Sequence, residues 1–156
     1  MEKNYNKDKH FQLLKYSEDL RKQGKFIGME SREDYLKLLN YSSMVYSQLN
    51  WEIQDHYLEV FKKFLSNEIS SYQFCKILNE KLELNEELSD ELQFDLIHQK
   101  ATNFTDFLDD LLISCEVYDR SPRSPESCRL PGAISENELR NEIGEAYLQI
   151  QKFLEE

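Results

Sequence analysis

Apolar residues recur along this chain at intervals of three and four, the spacing that lines up one face of an α-helix. The pattern predicts a helix over 9–23 that breaks near Gly24 and Gly28, then restarts at Ser31, whose side chain is placed to cap Asp34 and Tyr35. A longer amphipathic run covers 43–65, with Leu49, Ile53, Tyr57, Val60, Phe61, Phe64 and Leu65 at helical spacing. Tyr46 and Trp51 flank that stripe and read as packing aromatics.

Two helix starts are written with full capping grammar. In Ile69-Ser70-Ser71-Tyr72-Gln73-Phe74, Ser70 serves as N-cap, Gln73 reciprocates, and Ile69 with Phe74 forms the hydrophobic staple. Ser135, Glu138, Ile134 and Leu139 repeat the arrangement at the start of the last helix. Between them, Ser89 is placed to cap a helix through Leu92, Leu96 and Ile97. A further helix over 104–118 carries Phe104, Phe107, Leu108, Leu111, Leu112, Cys115 and Tyr118 on one stripe. All three prolines (Pro122, Pro125, Pro131) and three arginines (Arg120, Arg123, Arg129) then fall in 119–133, which reads as a loop. The expected architecture is all-α: an antiparallel four-helix bundle over 43–156, preceded by a helical extension over 1–42.

The 104–118 helix breaks one local rule. The C-terminal end of a helix carries the negative pole of its macrodipole and favours Lys, Arg or His, yet this one closes on Glu116 and Asp119. Carboxylates there cost roughly a few tenths of a kcal/mol. A local breach without local compensation is expected where function outranks stability. Presenting negative charge to a basic partner is the candidate function.

Composition sharpens this reading. The chain has 156 residues, 40% apolar and 31% charged, which suits one globular domain with a core of its own. No apolar run is long enough for a membrane span, and the first residues lack the apolar core of a signal peptide, so a soluble, cytoplasmic or organellar location is expected. Three cysteines (Cys75, Cys115, Cys128) form no CxxC or zinc spacing, so reduced thiols are expected, with neither a disulfide framework nor a metal site. The net charge of −11 is unevenly spread: residues 1–50 hold nine Lys/Arg against seven Asp/Glu, and residues 80–119 hold twelve acids against two bases. So acidic a segment disfavours direct contact with nucleic acid phosphates.

Catalytic chemistry finds little to stand on. His10, His56 and His98 are scattered without ligand spacing, and neither a Gly-rich phosphate loop nor a nucleophile elbow occurs. Cys115 lies on the apolar stripe before a carboxylate and reads as a buried structural residue rather than a nucleophile. Asp106, Asp109 and Asp110 imitate part of a carboxylate metal site but lack a Glu-x-x-His partner, so a solvated acidic face is the simpler reading. No enzyme activity and no cofactor are expected. Ser121-Pro122 and Ser124-Pro125 have the form of proline-directed phosphorylation sites.

The order of these features resembles a known family. Residues 60–74, where a helix ends and Ile69-Ser70 opens the next, the acidic stretch Asp109-Asp110-Leu111-Leu112-Ile113-Ser114-Cys115-Glu116-Val117-Tyr118-Asp119, and the closing helix from Ile134 are together similar to the colicin D type immunity proteins, over about residues 55–155. The resemblance implies a small helical bundle whose acidic patch plugs the cationic active-site cleft of a tRNA-cleaving ribonuclease toxin in place of substrate phosphates. It places Glu116 and Asp119 at two of the family's acidic contact positions, with the uncharged Ser121 at a third. Tyr118 is the candidate aromatic anchor between them, and Asp109 and Asp110 widen the patch. A second reading from a different class is a non-catalytic adaptor or structural subunit of a larger assembly, an organellar one included. The mildly basic first fifty residues favour that alternative, since a minimal inhibitor has no need of them.

Overall fold

The computed structural model of the chain describes residues 4–118 and 134–156, and these are mainly helical. Seven helices follow in order: α1 (Lys7–Lys22), α2 (Ile27–Glu30), α3 (Arg32–Glu52), α4 (Gln54–Leu65), α5 (Ser71–Ser89), α6 (Ala101–Val117) and α7 (Glu136–Glu155). Among the described residues the one extended pairing is a single parallel bridge between Tyr118 and Ile134. No described helix is long and apolar enough to cross a membrane.

The chain divides into two compact units, one of residues 1–52 and 83–102, the other of 53–82 and 103–156. In the first, α1 starts at an Asn6 cap whose side chain accepts from the Lys9 amide, and stops where Gly24 turns left-handed at φ 73°. The Lys25 amide then donates back to the Leu20 carbonyl at 2.9 Å, closing the helix end as Gly at this position typically does. Leu20, Ile27 and Leu38 bury together, with Leu13, Leu14 and Tyr35 packed over them. Ser31 caps α3 as expected, accepting from the Asp34 amide at 3.3 Å.

The first unit also holds polar groups in its interior. His10 is fully buried; the Tyr5 hydroxyl lies 2.8 Å from its Nδ1 and the Ser42 hydroxyl 3.4 Å from its Nε2. Burial pushes the His10 imidazole down to about 4, because a cation there would lose its water. The Asn85 side-chain amide donates to the Asn50 side-chain oxygen at 2.8 Å, both residues being buried. Residues 90–100 pack without a helix. The Gln48 side chain accepts from the His98 amide at 2.7 Å, and the His98 ring stacks on Trp51 at 4.2 Å.

That segment corrects one expectation. Ser89 does not open a helix through Leu92, Leu96 and Ile97; it is the last residue of α5, and its hydroxyl donates to the Glu86 carbonyl at 2.6 Å. A serine hydroxyl bonds a carbonyl one turn back as readily as it caps the turn ahead, and the backward bond prevails here. The expected continuous run over 43–65 is likewise two helices, parted at Ile53.

In the second unit, α4 and α7 pack against one another, and the aromatic core is built from Tyr57, Phe61, Phe64, Phe74 and Phe104, all essentially without exposure. The ring centroids of Phe64 and Phe74 lie 4.8 Å apart, those of Phe61 and Phe74 5.7 Å. α4 ends through Asn67, left-handed at φ 64°, with the Glu68 amide donating to the Lys63 carbonyl at 2.8 Å. Both capping sites form. The Ser70 amide donates to Gln73 Oε1 at 2.9 Å while the Gln73 amide donates to Ser70 Oγ at 3.1 Å, and the Glu138 amide donates to Ser135 Oγ at 3.2 Å.

Cys75 and Cys115, expected as reduced thiols, are instead paired in a disulfide that joins α5 to α6, with Cα atoms 5.5 Å apart. Forty residues separate the two in sequence, so local spacing carried no signal for the pairing. Burial of Cys115 is as expected.

Candidate functional site

The acidic face develops along α6. Phe104, Leu108, Leu111 and Cys115 turn into the core of the second unit and fix the helix's rotation about its axis. The opposite stripe, at i, i+4, i+7 and i+11, carries Asp106, Asp110, Ile113 and Val117, all exposed. Glu116 stands at the edge of that stripe, exposed as well.

The five residues expected to contact a partner are therefore placed differently from one another. Asp110 and Glu116 face solvent. Asp109 is half-buried and engaged in an interaction within the protein. Tyr118 lies one residue beyond the helix, half-buried, with its neighbours tied down: the Tyr118 amide donates to the Cys115 carbonyl at 3.3 Å, and the Ile134 amide donates to the Val117 carbonyl at 2.9 Å. Asp119 lies outside the described residues, as do Arg120, Arg123, Arg129, Cys128 and both Ser-Pro pairs.

Sequence reading passed over two residues that the structure brings forward. Ile113 is 57% exposed and Val117 40%, on the same face as Asp106 and Asp110. Their signal was present in the periodicity, because both fall off the inward stripe. A β-branched aliphatic in such a position leaves much of its apolar area in water. Among the described residues the last turn of α6 holds no basic residue of its own, so Glu116 sits near the helix's negative pole with no cation from that turn.

Beside Glu116 the surface dips into a groove of about 240 Å³, lined by Tyr72, Cys75, Lys76, Asn79, Leu112, Cys115 and Glu116. Tyr72 is 52% exposed at its rim. The groove is small for an organic cofactor, and its polar lining is one ammonium, one carboxylate, an amide and a phenol. Among the described residues no group of three or more His, Cys, Asp or Glu is arranged to hold a metal ion.

Searches of family models, curated proteins and solved structures return no match to this chain. What the α6 face offers chemically is fixed negative charge around aliphatic side chains, on a helix held by its buried side and by a disulfide.

Proposed function

We propose that this protein is a non-catalytic binding protein whose α6 face docks a positively charged protein surface, in the manner of an immunity protein that blocks a basic ribonuclease toxin. The single observation that carries the reading is the sharing of one exposed stripe by Asp106, Asp110, Ile113 and Val117, with Glu116 at its edge. Carboxylates steer a cationic partner and set the register of docking. Aliphatic side chains among them supply the desolvated contacts that charge alone does not. In this reading Ile113 and Val117 take the anchoring role first assigned to Tyr118, and the four helices of the second unit form an antiparallel bundle that holds the face rigid.

The alternative, a helical adaptor in a larger assembly, is favoured by a specific observation. Residues 1–52 form a compact unit together with 83–102, and that unit has its own core. Isolation of the native protein with its companions at low salt separates the two readings. Recovery of one small basic nuclease, released by salt and lost with Asp106→Asn, Asp110→Asn and Ile113→Ser combined, supports the inhibitor. A multi-subunit complex that survives those substitutions supports the adaptor.

A further inference from the structure

The two disulfide-bonded residues border the groove. Cys75 and Cys115 are nearly buried as whole residues, at 3% and 4% exposure, yet both border the groove beside Glu116. A structural disulfide resists reduction when it is sealed in the core, because an attacking thiolate must wait for unfolding; one on a solvent-open groove is met in the native state. The two cysteines also have neighbours of opposite charge. Lys76 follows Cys75 and Glu116 follows Cys115, and all four residues line the groove.

We propose that Cys75–Cys115 is a thiol–disulfide exchange site, reduced in the folded protein by a small or protein-borne dithiol. One thiolate of the dithiol attacks Cys115 Sγ, the Cys75–Cys115 bond breaks, and its electron pair leaves on Cys75 Sγ, which takes up a proton. The second thiol of the reductant, as its thiolate, then attacks the mixed disulfide. Cys115 leaves and is protonated, and the reductant departs as its own disulfide. Two electrons and two protons pass from the dithiol to the protein. Negative charge in this displacement gathers on the outer two sulfurs, so the positive charge of Lys76, on the groove that the leaving Cys75 also lines, accelerates it. The carboxylate of Glu116 repels the incoming thiolate and retards it. Charge balance at the groove therefore sets the rate of reduction.

The test is timed reduction of the native full-length chain by dithiothreitol, with acid quench, alkylation of free thiols and peptide mapping by mass spectrometry. Before reductant, Cys75 and Cys115 are expected to resist alkylation. With reductant they become alkylatable at a rate within about tenfold of the urea-unfolded chain and insensitive to low urea. Lys76→Gln is expected to slow the native reaction by about three- to tenfold and Glu116→Gln to speed it by a similar factor, with no change for either in the unfolded chain. Free Cys75 and Cys115 before any reductant, a native rate that tracks global unfolding, or a rate indifferent to both substitutions would each overturn the proposal. Because the readout is thiol chemistry without a partner, its failure leaves the docking reading untouched.

Discussion

The Arg140 guanidinium lies over the Phe64 ring, its central carbon 4.3 Å from the ring centroid, and its Nη1 donates to the Phe64 carbonyl at 3.0 Å. The last turn of α4 thus receives a cation from α7, at the pole where cations are favoured. Glu136 sits at the same junction, 3.5 Å from Arg140 and accepting from the Ser71 hydroxyl at 2.8 Å, so the start of α5 is tied in as well. Replacement Arg140→Met keeps most of the packing and removes the charge and the donor. It is expected to cost about 1–2 kcal/mol of unfolding free energy, read by urea denaturation.

A second prediction concerns pH. Burial holds the folded-state value of His10 at about 4, against 6.5 for the free side chain. Below pH 6.5 the unfolded chain takes up a proton that the folded chain refuses, so His10's contribution is full above pH 6.5 and drains away as pH falls toward 4. The loss approaches roughly 3 kcal/mol at the low end. Denaturation curves between pH 7 and 4, compared with His10→Gln, isolate the effect: the wild type should lose more stability over this window than the variant.

Asn50 and Asn85 give a third. Both are buried, and one donates to the other. Asn85→Leu takes this donor away from the Asn50 oxygen in a place that water does not reach, at an expected cost of about 1–3 kcal/mol in thermal or urea unfolding.

A fourth tests the chain reversal after α4. Asn67 adopts the left-handed conformation, so Asn67→Gly should be neutral or mildly stabilising, whereas Asn67→Val should cost about 1–2 kcal/mol. Equal effects of the two substitutions in urea unfolding would contradict this role.

Much of this architecture was legible in the sequence, and the exceptions have physical causes. The caps at Ser31, Ser70 and Ser135 are local chemistry, complete within three residues, and all three form. The break at Ile53 carries neither Gly nor Pro, so nothing in the composition marked it. At Ser89 one hydroxyl had two possible backbone partners, and sequence does not rank them. The Cys75–Cys115 pairing depends on how α5 meets α6, a tertiary fact. On the candidate face, the charges at Asp110 and Glu116 could be read from sequence because helical periodicity left them off the core. The exposed aliphatics Ile113 and Val117 obeyed the same periodicity but were overshadowed by Tyr118, whose half-buried place, bridged to Ile134, depends on contacts beyond the helix.

The most direct measurement of the α6 face as a docking surface is salt-dependent binding of the co-isolated partner to the wild type, to Asp106→Asn with Asp110→Asn and Glu116→Gln, and to Ile113→Ser. Loss of the three charges should weaken binding by about a hundredfold at low salt and flatten its dependence on ionic strength. Ile113→Ser should weaken it by about tenfold at every salt concentration, with the helical signal and melting temperature of all variants held within a few degrees of wild type. Binding unchanged by the triple substitution, or lost only in step with lost fold stability, would contradict the assignment.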